Sequence, residues 1–370
     1  MIRPPTSLVG LVVGVVLLGG CGVPPPPPRT TAPAAPSAPM TSPSPVRPEH
    51  PAVARIAGRF RLTQGGFGPL AIAVGFGSVW VALAADPPYS PASRGTLLRL
   101  SRDLSRVEAR IQVGWVPAVL AVTSNAIWVA DTAGDGSQPR ALHDEVERVD
   151  PALDQVVARV YIDGLADLVP ADGAAWAVGE RPRGGGASLS RIDEGTNSVR
   201  VVVASPGAVS DLARVGPELW AATAGDAAAV RGSILRLDAS TGAAGVPIAL
   251  DHEVTRLLVA GDRVLAMGPS GTTASADVLP IDPANGVVGR LLSGVESLVG
   301  SAFHVGIERI WVGSQQGLVP VRLPDLIPDA APLTIIDQPG AGILAIAGDS
   351  SDMWVLTSLG VVRVTVVGGP

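Results

Sequence analysis

Between Phe67 and Pro370 one arrangement of apolar and polar positions recurs seven times. It opens on a run of alternating small and large apolar residues, as in Leu70-Ala71-Ile72-Ala73-Val74 and Ile343-Leu344-Ala345-Ile346-Ala347. A second apolar run follows, built on tryptophan: Val79-Trp80-Val81-Ala82, Ile127-Trp128-Val129-Ala130, Met353-Trp354-Val355-Leu356. The third segment reads Arg-apolar-Asp, as in Arg148-Val149-Asp150, Arg191-Ile192-Asp193 and Arg236-Leu237-Asp238. The fourth mixes valine with arginine, as in Val156-Val157-Ala158-Arg159-Val160 and Val287-Val288-Gly289-Arg290-Leu291. Short apolar runs bounded by turn residues are strands. Continuous apolarity predicts strands buried on both faces, and the valine–arginine mixture predicts an outer, half-wet strand.

The period is roughly 43–48 residues, the length of a four-stranded propeller blade. One blade cannot bury its own faces, whereas seven packed around an axis can. The prediction is therefore an all-β chain, a seven-bladed β-propeller of four-stranded blades. Trp80, Trp128, Trp176, Trp220, Trp311 and Trp354 occupy one place in the repeat, with Val264-Leu265 standing there in the fifth unit. Recurrence at one place predicts packing between blades rather than ligand stacking. Asp150, Asp193, Asp238 and Asp282 end the third strands, where a carboxylate accepts from backbone N–H groups of the turn. The last unit stops at Val361-Val362-Arg363-Val364-Thr365 without a fourth strand, while Ala54 to Leu62 has the composition of one. The N-terminal strand is thus expected to complete the last blade and close the ring, which removes open sheet edges.

Composition narrows the functional classes. The chain carries a net charge of −6 with its positive charges scattered singly, so it offers no basic stripe for a nucleic acid. Lysine is absent, which excludes a P-loop lysine and Schiff-base chemistry. No Gly-x-Ser-x-Gly, His-Glu-x-x-His or glycine-rich phosphate loop occurs.

Ahead of the repeats lies a segment of another kind. Arg3 precedes an apolar stretch from Leu8 to Leu18, too short to span a bilayer, which ends in Leu18-Gly19-Gly20-Cys21. That ending resembles the lipobox of bacterial lipoproteins, and Cys21 is the only cysteine. Residues 1–20 are expected to be a lipoprotein signal peptide, with Cys21 the lipidated residue that carries the acyl (palmitate-type) anchor. Residues 21–51 form a Pro-rich tether that cannot build a core, and 52–370 form the propeller. The expected location is the cell membrane, lipid-anchored and facing outward, with no intramolecular disulfide.

The second-to-third loops are long in the first five units (84–95, 131–144, 180–187, 224–232, 268–276) and shrink to Gln315-Gln316-Gly317 and Ser358-Leu359-Gly360 in the last two. They share one face of a propeller, and one-sided elaboration marks a binding face. Tyr89, Asp131, Asp135, His143, Arg181 and Arg183 are the candidate binding residues there. Neither a metal site nor a cofactor is predicted, because the Asp131-to-Glu145 loop lacks EF-hand spacing. His304 lies in an inner-strand run and reads as a core histidine. A recognition role is favoured over catalysis, the ligand being an envelope protein or a small molecule.

The stretch from Leu120 to Val160 (Leu-Ala-Val, Ile-Trp-Val-Ala, Arg-Val-Asp-Pro, Val-Val-Ala-Arg-Val) resembles the bacterial seven-bladed propellers of the YVTN and virginiamycin B lyase-like superfamily. The resemblance covers Ala54 to Val367. It implies the same fold, and a superfamily that holds a metal-dependent streptogramin lyase alongside binding proteins. On that implication the alternative is a metal-dependent lyase or hydrolase holding a divalent cation. His252, next to Glu253, and His143, next to Asp144 and Glu145, are its candidate catalytic histidines.

Overall fold

In the computed structural model the described residues form seven sheets, each of four antiparallel strands. The structure describes residues 54–62, 68–86, 93–132, 144–180, 186–205, 207–223, 232–270, 275–298, 300, 302–306, 308–315, 317–336, 338, 341–349 and 351–366. The first blade holds β2 (Pro69–Gly75), β3 (Ser78–Leu83), β4 (Gly95–Ser101) and β5 (Val107–Val113). The second holds β6 (Pro117–Val122), β7 (Ile127–Asp131), β8 (Glu145–Asp150) and β9 (Gln155–Tyr161). In the third are β10 (Leu165–Ala171), β11 (Ala174–Glu180), β12 (Ala187–Asp193) and β13 (Val199–Ser205). The fourth has β14 (Val209–Val215), β15 (Glu218–Thr223), β16 (Ser233–Asp238) and a two-residue β17 (Ile248–Ala249). Blade five comprises β18 (Arg256–Ala260), β19 (Arg263–Pro269), β20 (Ala276–Ile281) and β21 (Leu292–Val295). Blade six comprises β22 (Ala302–Val305), β23 (Arg309–Ser314), β24 (Gly317–Arg322) and β25 (Ile327–Pro328). The seventh joins β26 (Ile343–Gly348), β27 (Asp352–Thr357) and β28 (Gly360–Val366) to β1 (Ala54–Arg61).

Ring closure follows the sequence expectation. Strand β1 runs antiparallel to β28, from Ala54 opposite Val366 to Arg61 opposite Gly360. Its inward positions pack on the last blade while its arginines face water, the half-wet pattern of an outer strand.

The tryptophans form the joints between blades. Trp80, Trp128, Trp176, Trp220 and Trp354 are fully buried. Each packs against its own blade and the next, as Trp80 does with Ile127, Val129 and Val149. Directly across the sheet, an arginine of the third strand stands opposite each of these five, as Arg99 does for Trp80 and Arg236 for Trp220. The guanidinium covers the indole face at 5.2 Å for Arg99 and 5.4 Å for Arg236. Two of the indole N–H groups reach a turn of the next blade. Trp176 donates to Ala239 O and Trp354 to Arg102 O, both at 2.9 Å and both in the following blade.

The aspartates at the ends of the third strands close their hairpins. Asp150 accepts from Ala152 N at 2.8 Å, Asp193 from Thr196 N at 2.9 Å, and Asp238 from Thr241 N at 2.7 Å. Hydrogen bonds from Ser240 and Thr241 hold the Asp238 carboxyl down at about 2.

Blade five departs from the pattern. Leu265 stands opposite Pro280, where five blades set Trp opposite Arg and blade six sets Trp311 opposite Pro320. The fourth strand, expected over Val287 to Leu291, lies instead at β21, and only Val288 makes an isolated bridge, to Ile281. Pro280 has no N–H to donate there and only accepts, from Gly289 N at 2.8 Å. Blade four shows the same isolated bridge, Leu237 with Ala244, with Arg236 at that place.

Candidate functional site

Successive inner strands (β2, β6, β10, β14, β18, β22, β26) neighbour one another around the ring. Their first residues lie at the end of the disc that carries the second-to-third loops, because each pairs with the last residues of the second strand. Counted from the tryptophan, one inner-strand position is paired with the residue two places beyond it. That position is Ala71, Val119, Ala302 and Ala345 in four blades. In the three consecutive blades between them it is Asp167, Asp211 and Arg256.

These three residues form a charged arc on the inner ring. The Asp211 Oδ2 accepts from Leu257 N of the next blade at 2.6 Å, so the carboxylate ties β14 to β18. Asp167 Oδ1 accepts from Leu168 N at 2.7 Å. The Arg256 guanidinium sits 5.0 Å from the centre of the Phe303 ring and is exposed. Burial pushes the Asp211 carboxyl up to about 6, against the Leu257 hydrogen bond and with help from the neighbouring Asp167 charge. Burial raises Asp167 as well, with Arg256 opposing it. Two adjacent carboxylates that resist losing both protons, flanked by a guanidinium and an aromatic ring, can accept hydrogen bonds from a polar or cationic ligand. The arc holds no nucleophile. Among the described residues no group of three or more His, Cys, Asp or Glu side chains is placed to hold a metal.

A second polar cluster joins blades one and two at the same end. Asp131 accepts from Trp115 N and Val116 N, each at 2.7 Å, one on each carboxylate oxygen. Glu147 accepts from Gly114 N at 2.9 Å and from Arg159 Nε at 2.8 Å. Both acids are buried, and burial pushes Asp131 up to about 6 despite its two N–H donors. Gly114 has to be glycine, since a Cβ there would collide with the Asp131 carboxylate. The fixed connection presents Trp115, with Arg94 stacked 4.1 Å from its ring centre.

The sequence candidates divide accordingly. Asp131, expected to touch a ligand, is 1% exposed and holds the connection between blades from beneath. Asp144 does similar work, with its carboxylate accepting from Leu165 N at 3.0 Å. Tyr89, Asp135, His143, Arg181 and Arg183 lie outside the described residues, as do Cys21 and the segments 1–20 and 21–51. His252 is half-buried in the connection into blade five, where its carbonyl accepts from Gly232 N at 3.2 Å. His304 faces Trp311 across the sheet, and burial lowers its pKa. Sequence reasoning missed Asp167, Asp211 and Arg256. The signal that finds them is a fixed offset from the tryptophan, read together with the bulges between Leu165 and Asp167 and between Val209 and Asp211.

Solved structures decide the fold at this point. The chain is a seven-bladed β-propeller. It is similar to the WD40 β-propeller domain of Doa1, at 12% identity and a TM-score of 0.55 over 85% of this chain and 97% of that one. It is similar also to the Neurospora crassa Pan2 WD40 domain, at 11% identity and a TM-score of 0.58 over 86% and 96%. A third similar structure is the Kuenenia stuttgartiensis hydrazine synthase, at 14% identity and a TM-score of 0.58 over 81% and 96%. At such identities the propeller shares architecture with them, and function does not follow from it. No protein-family model matches the sequence, and no curated protein does.

Proposed function

We propose that the protein is a lipid-anchored, extracytoplasmic recognition protein that binds an envelope protein or a small ligand at the loop-rich end of its propeller. The observation that carries this reading is the charged arc. One inner-strand position is Asp, Asp and Arg in three consecutive blades and Ala or Val in the other four, at the end of the disc where the long loops emerge. Packing needs no charge there, as the other four blades demonstrate. Cys21 behind an apolar leader and a Pro-rich tether supports membrane display.

The test is photocrosslinking in cells with the full-length chain. Amine-reactive reagents have no lysine to attack here, so a photoreactive residue replaces Tyr89 or the exposed Ala208 just ahead of β14. The expected result is a partner captured by the wild type, lost with Arg256→Ala, and lost with the mislocalised Cys21→Ser form. Capture that is indifferent to Arg256→Ala would remove the arc from the binding site. A Cys21→Ser chain that still incorporates labelled palmitate would end the lipidation assignment.

A further inference from the structure

Six of the seven blades carry a tryptophan at the joint to the next blade, and the fifth carries Leu265. A cleft of about 520 Å³ opens at that joint, within the size range of small-ligand sites. It is lined by Leu265 and Pro280, which replace the Trp–Arg pair, and by Leu323, Arg263, Arg309 and Arg322. Leu326 and Leu323 of blade six pack against Leu265, which is 3% exposed, and the cleft opens beside them.

The other joints define what such a space accepts. Trp176 places its indole N–H on the carbonyl of Ala239, the residue after the third strand of the next blade. Leu323 is the equivalent residue of blade six. Ala239 N donates to Pro217 O and Leu323 N to Glu308 O, each at 2.9 Å, in the same turn of their respective blades. The cleft thus offers an apolar floor, a carbonyl at the place where an indole N–H is met elsewhere, and three arginines against two acids, Asp262 and Glu308, on its lining. Arg309 is already committed to Asp329 at 2.8 Å. Arg263 and Arg322 are half-exposed and have only surface ion pairs, with Asp262 at 3.9 Å and Asp325 at 3.1 Å.

We propose that the cleft between the fifth and sixth blades binds a small aromatic carboxylate whose ring carries an N–H donor, with an indole acid as the simplest example. The ring would lie in the cleft against Leu265, Pro280 and Leu323, beside the place a tryptophan takes in other blades. The N–H would donate to Leu323 O, and the carboxylate would meet Arg263 and Arg322. An apolar cavity left by a smaller side chain readily takes up an aromatic molecule of matching shape. Guanidinium groups add both stacking and charge-assisted hydrogen bonds. This site lies at the opposite end of the disc from the charged arc and does not depend on it.

The test is calorimetric titration of the full-length chain in nanodiscs with indole-3-propionate and its uncharged amide, with empty nanodiscs as the blank. The wild type is expected to bind both, the acid roughly tenfold more tightly because its hydrogen bonds are charge-assisted. Leu265→Trp fills the cleft and should abolish both binding events, and Leu265→Phe should weaken both if the tryptophan variant does not fold. Arg322→Ala should bring acid and amide to equal affinity. Absence of binding to the wild type, or undiminished binding to the Leu265 variants, would overturn the proposal. An acid preference that survives Arg263→Ala and Arg322→Ala would overturn the assigned role of the arginines.

Discussion

Two aspartates with raised proton affinity and one with lowered affinity make opposite predictions at the scale of single residues. Asp131 and Asp211 both sit at about 6 because burial penalises their charged forms. Their folded pKa lies above the ordinary 3.8, so the folded state holds these protons more tightly than the unfolded state does. Their contribution is most favourable at and below pH 3.8, and it is lost as pH rises through about 6. Asp349 acts in the other direction. Burial acts to raise it, but hydrogen bonds from Ser351, Arg102 and the Asp352 N–H outweigh that and hold it far below 3.8. Its contribution is present above that value and lost as pH falls. Thermal melts are therefore expected to peak at mildly acidic pH, between 3.8 and about 6, and a flat profile from pH 5 to 8 would contradict the burial of these groups. Asp211→Asn keeps an acceptor for Leu257 N and removes the charge, so it should raise the melting temperature at pH 7.5 and flatten the profile. Asp131→Asn has one acceptor oxygen for two N–H donors. It should lose about 1–3 kcal/mol through the orphaned donor, measured by denaturant unfolding at pH 7.5, where the wild-type carboxyl is ionised and both oxygens accept.

Among the elements, the second strand of each blade carries most of the packing. Trp220 is fully buried between blades four and five, and its N–H and the Arg236 opposite it share the Glu218 carboxylate. Trp220→Ala should cost about 3–5 kcal/mol, the range for deleting a buried large side chain. Urea unfolding measures it, and a loss under about 1 kcal/mol would mean that the joint collapses around the vacancy. The tryptophan runs and the Arg-apolar-Asp runs were legible in the sequence because burial on both faces and turn closure are local requirements. The fourth strand of blade five was not legible. Its valines read as a strand, but of them only Val288 bridges the third strand, at Ile281, and the paired residues come later, at Leu292 and Val295.

For the whole molecule, stability depends on closing the ring. Without β1, the last strand β28 would present an unpaired edge along its length. A chain beginning at residue 52 should melt in one transition and remain monomeric, whereas one beginning at residue 62 should melt far lower and self-associate. Sedimentation with thermal melts decides the matter, and a monomeric, equally stable chain from residue 62 would show that closure is dispensable.

The sequence by itself determined the strands other than the fourth of blade five, their order, the number of blades and the strand that closes the ring. Each of these is written in local periodicity, in the burial a strand needs and in the turn that ends it. It also exposed the missing tryptophan at Leu265. Only the tertiary structure decided that Leu323 and Leu326 pack against Leu265 and still leave a cleft beside it. Only the tertiary structure set Asp167, Asp211 and Arg256 side by side. They lie a blade apart in the chain, and their alignment depends on bulges that shift the register of β10 and β14. A one-residue slip sends a side chain to the other face of its sheet, so which charges meet is a property of pairing register and not of composition.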